Sequence, residues 1–318
     1  MPDHSLVIEP PCDRPIVVAT MYKFIYIEDC LPLKEQLIEI FQAHNLMGTI
    51  LLATEGLNGT VAGPASGIEA LFQFLHQDSR FVDLWPKLSY VPSPPFKRMK
   101  VKVRREIVSM GLEGIDPAEK TGTHIDPKNW NELIRDPEVL VIDTRNQYEY
   151  EIGTFEGAKS PETENFRQFP QFVDEQLNPK EHPKVAMFCT GGIRCEKASA
   201  YLLEQGFEEV YQLEGGILNY LQAHQPENSL WNGECFVFDE RVAVDEQLQP
   251  GSHTMCFGCR HPLSEQDYQS EKYEPGISCP HCFDQLTESQ RASFAERRLQ
   301  MELAAQRSQK HLGTSEET

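Results

Sequence analysis

The sequence lacks any apolar run near the roughly 18 residues that a membrane-spanning helix needs. Its longest candidates, Ile16–Ala19 and Met47–Ala53, are far shorter. The first thirty residues lack a basic segment followed by an apolar stretch, so no secretory signal is expected and a cytoplasmic location is the default. Positive charge is scarce. Lys and Arg number 29 against 49 Asp and Glu, leaving a net −20, a mean field that repels nucleic acid at long range. Nucleic-acid binding is not thereby excluded, because it needs only a local basic patch. Nine cysteines, an odd number, without a secretion signal argue against a disulfide framework. There is no internal repeat, no flavin or nicotinamide fingerprint and no iron-binding triad, so the sequence names no electron donor. The Gly-rich segment Glu55-Gly56-Leu57-Asn58-Gly59 is not a phosphate-binding P-loop, since no Gly-Lys-Ser/Thr follows.

What is present fits a globular chain. The 40% hydrophobic and 25% charged content excludes a disordered or fibrous polymer, and 318 residues suggest two or three domains. Residues 1–108 read as strand, helix, strand, strand, helix, strand, which is a split β-α-β, ferredoxin-like arrangement. Asn58-Gly59 reads as the hairpin turn between the second and third strands. Residues 109–128 have little periodicity and read as a linker. From 129 to 226, apolar runs at Val139–Asp143 and Lys184–Phe188 alternate with helical patterns, which predicts a parallel sheet covered on both faces. Residues 227–318 are irregular and Cys-rich, with a helix over 288–309 and a frayed tail at 313–318.

Three constellations carry chemistry. The first is Cys189-Thr190-Gly191-Gly192-Ile193-Arg194-Cys195, placed after a buried strand and before a helix. At the carboxyl end of a parallel strand a loop faces the usual ligand crevice. Gly191 and Gly192 allow tight closure through positive φ. Loop N–H groups, the helix end and Arg194 would together favour the Cys189 thiolate over the thiol. Cys195 is read either as a resolving thiol or as a small residue packing the helix start. The second is the basic run Lys97, Arg98, Lys100, Lys102, Arg104 and Arg105. On a strand, Lys100, Lys102 and Arg104 would share one face, as protection of a sheet edge or as a polyanion-binding row. The third is Cys256-x2-Cys259 and Cys279-x2-Cys282, separated by nineteen residues. That spacing fits a four-thiolate structural zinc site, or else four free thiols or a redox pair. Cys12, Cys30 and Cys235 are isolated.

Val141-Ile-Asp143-Thr-Arg145-Asn-Gln-Tyr148-Glu149-Tyr150, Gly153, Gly157-Ala158, the Cys189–Arg194 loop and Gly215-Gly216-Ile217 together resemble a rhodanese domain over residues 130–225. In that family the loop cysteine carries a persulfide, and Asp143 and Arg145 would be scaffold residues. The resemblance extends through Ala53–Thr60, Cys189–Lys197 and Cys235–Val244 to the bacterial tRNA uridine hydroxylases built around a rhodanese domain. It implies a ferredoxin-like domain, a central rhodanese parallel-sheet domain and a small Cys-rich C-terminal region. It also implies oxygen-dependent conversion of the wobble uridine of tRNA to 5-hydroxyuridine, with molecular oxygen as co-substrate, tRNA as partner and Cys189 as the reacting group. A substrate RNA contact at Asn58 is part of the same expectation. A sulfurtransferase carrying a persulfide, and a zinc-containing binding module, are the alternatives from other classes.

Overall fold

The computed structural model describes residues 6–306; the tail expected at 313–318 lies outside the described residues. The chain opens with β1 (Ile16–Phe24), α1 (Cys30–Ala43), β2 (Met47–Ala53), β3 (Gly56–Gly63), α2 (Ala65–Leu75), β4 (Lys87–Val91) and β5 (Met99–Val103). The strand order is β4-β1-β3-β2-β5. The first six elements make the expected ferredoxin-like unit, and β5 adds to it in parallel beside β2. Side chains alternate across each strand. Val17, Ala19 and Met21 therefore enter a core with Leu33, Leu37 and Phe41 of α1 and Ile68, Leu71 and Phe72 of α2. Val18, Thr20 and Tyr22 fall on the sheet's second face, which no helix of this domain covers.

The turn expected at Asn58-Gly59 lies elsewhere. Thr54 and Glu55 make the connection, and Asn58 and Gly59 sit inside β3, paired with Tyr22 and Met21 of β1 and with Leu51 and Ile50 of β2. Here Gly59 serves close backbone approach rather than a turn: a Cβ on it would lie 2.8 Å from the Thr49 carbonyl oxygen.

The second domain contains β6 (Thr123–Ile125), α3 (Pro127–Ile134), β7 (Val139–Asp143), α4 (Gln147–Tyr150), β8 (Gly153–Phe155), α5 (Phe169–Gln176), β9 (Lys184–Phe188), α6 (Ile193–Glu204), β10 (Glu209–Leu213) and α7 (Gly216–Ala223). Its sheet has the order β6-β10-β9-β7 and every pairing is parallel. One face is packed by Phe172 of α5 and by Ala198 and Leu202 of α6. The other is packed by Trp130 of α3 and by Ile217, Tyr220 and Leu221 of α7.

Two expected boundaries move. The stretch read as a linker, 109–128, ends earlier, because Thr123–Ile125 pairs with β10 and the Asp126 side chain caps α3 by accepting from the Lys128 N–H at 2.8 Å. A three-residue edge strand is too short to show a period. Residues 231–244 are likewise not separate from the second domain. β11 (Trp231–Gly233) pairs with β8, β12 (Cys235–Phe236) pairs with β13 (Ala243–Val244), and Trp231, Cys235, Val237 and Val244 are buried in the α3–α7 core. The Cys-rich module follows, with β14 (Thr254–Met255), β15 (Pro262–Leu263), α8 (Glu265–Tyr268) and α9 (Glu288–Gln306). No described helix is long and apolar enough to cross a membrane.

Candidate active site

β9 is flanked by β10 and β7, and Cys189 follows its last residue. The chain then turns through Thr190 and Gly191 to Gly192, which caps α6 at φ +101°. Of the two loop glycines, Gly192 is the one that uses the left-handed region. Its N–H donates to Cys189 Sγ at 3.1 Å. Gly216, at φ +70°, underlies the loop: a Cβ there would lie 2.4 Å from the Cys189 carbonyl oxygen. Both positions therefore need glycine, one for conformation and the other chiefly for space.

Cys189 is 1% exposed. Burial by itself would raise its thiol. The hydrogen bond from the Cys195 thiol, the nearby Arg194 guanidinium and the N–H groups of Arg194 and Cys195 outweigh burial and hold it well below the ordinary thiol range. Cys195, fully buried, is pushed up by burial and by its bond to Cys189. It thus serves as a protonated donor to the thiolate, and it also contacts Thr144 Oγ1 at 3.5 Å.

Arg194 acts on the sulfur through its charge rather than by contact. Its guanidinium does not reach the sulfur but forks onto Glu149, Nη1 to Oε2 at 2.7 Å and Nη2 to Oε1 at 2.8 Å, with both side chains buried. Burial would raise the Glu149 carboxyl, and Arg194 more than reverses that, leaving it ionised. Arg194 is therefore a positioning residue that ties the start of α6 to α4. Thr190 Oγ1 completes this anchor with long contacts to Glu149 and to the Phe236 carbonyl, each 3.4 Å. Asp143 and Arg145 form a second buried pair at 2.6 Å behind the loop, a scaffold role as expected.

The first domain roofs this loop with the second face of its sheet. Lys87 Nζ donates to the carbonyls of Gly191 at 2.5 Å and Gly215 at 2.9 Å. Tyr22 Oη donates to Glu196 Oε1 at 3.0 Å and sits where a Cβ on Gly192 would come within 2.9 Å of it. Burial pushes Lys87 down to about 8, against the pull of Cys189, Glu196 and Glu214. Glu196 also accepts from Thr121 at 2.9 Å and Gln212 at 3.0 Å and pairs with His124 at 2.9 Å. Lys197 bridges Glu55 and Glu106, 2.7 Å to each. A cleft lined by Thr20, Lys87, Ser89, Asn219 and Arg241, among others, opens beside the roof. None of Tyr22, Lys87 or His124 stood out in the sequence, because a single polar residue on an alternating strand carries no signal of what lies opposite.

Lys87→Met is expected to slow alkylation of Cys189 by up to about tenfold at acidic pH, where the thiol of pKa about 5 is only partly ionised, and little at neutral pH, since it removes a cation that stabilises the thiolate. The rate-against-pH profile should shift to higher pH, and Lys87→Arg should restore much of it. An unchanged profile in Lys87→Met would leave the lysine a purely mechanical clamp.

The other expected residues are divided. Lys100 is exposed and Lys102 half-buried on β5, on the side opposite the buried Val101, and Arg104 is exposed just beyond, its N–H still paired to the Leu52 carbonyl at 2.8 Å. Arg98 and Arg105 are exposed, and Lys97 pairs with Glu240 at 3.0 Å. Asn58 is half-buried and donates to the Ile107 carbonyl at 2.9 Å. Ile193 opens α6. Cys256, Cys259, Cys279 and Cys282 come together, with their sulfurs within 4.8 Å of one another.

A thiolate cradled by loop amides at the carboxyl end of a parallel strand defines a rhodanese-type cysteine protein, and residues 126–223 match the rhodanese-like domain. Residues 16–107 match the UPF0176 acylphosphatase-like domain. The chain thus pairs a UPF0176 acylphosphatase-like domain with a rhodanese-like domain that follows it. Among solved structures, the rhodanese-like domain of an Anabaena protein is 19% identical over 36% of this chain and 80% of its own, with a TM-score of 0.29. The polysulfide-sulfur transferase of Wolinella succinogenes is 26% identical over 32% of this chain and 74% of its own, with a TM-score of 0.27. The thiosulfate sulfurtransferase of Pseudomonas aeruginosa is 21% identical over 34% of this chain and 20% of its own, with a TM-score of 0.28.

Proposed function

We propose that the protein hydroxylates the wobble uridine of tRNA to 5-hydroxyuridine, with Cys189 as the reacting group. The net change replaces the C5 hydrogen by hydroxyl: uridine, dioxygen, two electrons and two protons give 5-hydroxyuridine and water, the electrons coming from an external reductant. The observation that carries this reading is the joint construction of the site. The cysteine loop belongs to the second domain, while Lys87 and Tyr22 of the first are hydrogen-bonded onto it. Transfer of a single sulfur atom from a small anion gives no reason for a second domain over the thiol; a large substrate spanning both domains does. The chain's resemblance to the uridine hydroxylases runs through the same two domains.

The part of this sheet face that extends beyond the cysteine loop supports an RNA substrate. Strand register places Lys87, Thr20, Thr60, Thr49 and Lys100 in one row across five strands. Thr20 and Thr60 touch through their hydroxyls at 3.2 Å. At about 4.8 Å per strand, the row runs roughly 19 Å from the exposed edge to the cysteine loop. The exposed Lys100 at one end and the hydroxyls beside it suit phosphates, which fix position without reading sequence, while Lys87 at the other end is committed to the loop carbonyls.

Nucleoside mass spectrometry on tRNA from cells lacking the protein tests the reaction. Loss of 5-hydroxyuridine derivatives, restored by the intact gene, is the expected result. Loss of thiolated uridine with 5-hydroxyuridine unchanged would instead select the sulfurtransferase reading, which the persulfide-competent loop also accommodates. Neutralising Lys100, Lys102 and Arg104 together should weaken tRNA binding and flatten its salt dependence, because fewer counterions are released. Equal salt slopes for variant and native protein would assign the row to edge protection alone.

A further inference from the structure

We propose that Cys256, Cys259, Cys279 and Cys282 hold one structural zinc ion as four thiolates, and that the module it organises braces the turn carrying Glu149. The first half rests on distances. A tetrahedral site with Zn–S near ~2.3 Å has sulfur–sulfur edges of about 3.8 Å. The Cys259–Cys279 and Cys279–Cys282 sulfurs are each 3.7 Å apart, and all four lie within 4.8 Å. The backbone is folded for chelation at both pairs. Arg260 N–H donates to the Cys256 carbonyl at 2.9 Å, and the N–H groups of Cys282 and Phe283 donate to the Cys279 carbonyl at 3.1 and 2.9 Å. Gly258 leaves room between the pairs, since a Cβ there would lie 2.6 Å from the Ile277 carbonyl oxygen.

Apolar burial does not account for this cluster. Three of its four buried residues are the cysteines Cys256, Cys279 and Cys282; the fourth is Leu263. Four neutral thiols packed this closely supply little cohesion. An ion bound to four thiolates supplies the cohesion that so small an apolar cluster lacks.

The second half rests on where the module touches the second domain. His261, two residues after Cys259, lies against Tyr148 with ring centroids 6.0 Å apart and pairs with Glu151 at 3.5 Å. Tyr148 also meets Phe236 edge-on at 5.2 Å. Tyr148 and Glu151 flank Glu149, the carboxylate that holds Arg194 and thereby the start of α6. The zinc module therefore stands behind the anchor of the cysteine loop, through contacts separate from the proposed RNA chemistry.

The test uses the full chain purified without chelator. Metal analysis is expected to give one zinc per chain, and exchange for cobalt(II) should give the ligand-field and sulfur charge-transfer bands of a tetrahedral four-thiolate site. Cys279→Ser should lose the metal while Cys12→Ser keeps it; if Cys279→Ser does not fold, the cobalt spectrum of the native chain still decides. Sub-stoichiometric zinc in both fresh and reconstituted protein, a cobalt spectrum without thiolate bands, or disulfides among these four cysteines would each overturn the site. For the brace, stripping the metal is expected to slow Cys189 alkylation several-fold, and His261→Ala should do the same with zinc retained. Unchanged alkylation in both would overturn the brace and leave the metal site standing.

Discussion

Cys189→Ser is expected to abolish 5-hydroxyuridine formation in cells lacking the native gene, while the purified variant unfolds at nearly the native temperature. The substitution keeps the volume of the side chain at a 1%-exposed position, so no cavity forms. It removes the one group the loop is built to ionise. A serine hydroxyl stays protonated at neutral pH under the same amides and cannot hold a persulfide or sulfenate. Near-native hydroxylation by a folded Cys189→Ser protein would remove covalent sulfur from the mechanism. A thermal midpoint many degrees lower would show that the thiolate also holds the fold together.

Arg194→Ala should be chiefly a folding defect, costing about 3–5 kcal/mol in equilibrium unfolding by denaturant. Its partner Glu149 is wholly buried, and removing the guanidinium strands that carboxylate away from water. Glu149→Ala strands Arg194 and should cost a similar amount. A double variant with apolar side chains of similar volume at both positions should recover much of the loss, because it buries no unpaired charge. The sign of that coupling is the diagnostic. If the two single losses simply add, the fork between Arg194 and Glu149 contributes little. The sequence shows only that the Arg194 charge can favour the thiolate; it leaves the buried partner Glu149 unseen.

That omission shows where a sequence is legible. The loop from Cys189 to Cys195 was readable because strand, glycine and helix start are local, and each constrains its neighbours within a few residues. The ferredoxin-like order was readable because α1 and α2 carry helical spacing, as in Leu33, Leu37 and Phe41, between strands of alternating polarity. What is absent from local pattern is who lies opposite whom. Glu149 is 45 residues from Arg194, and Lys87 is 104 residues from the Gly191 carbonyl it holds. Nothing around Glu149 marks it as buried, because an acidic residue in a short helix is usually solvated. Asn58-Gly59 misled for the opposite reason: a strong local turn signal was overruled by two flanking strands that need close backbone approach there. Thr123–Ile125 is too short to register as a strand until β10 is seen beside it.

The roof over the thiol has a consequence for how the protein is made. Tyr22 and Lys87 are translated more than a hundred residues before Cys189, in a domain that precedes it, and domains emerging from the ribosome generally fold as units, the N-terminal one first. The surface that closes over the sulfur therefore exists before the sulfur does. As the second domain forms, its reactive cysteine is received by a finished partner, and the interval in which a low-pKa thiol stands open to stray oxidants is kept short. A version with the domains in reverse order, joined so that both still fold, would have the same contacts at equilibrium but would expose the newborn thiol for as long as its cover took to be synthesised.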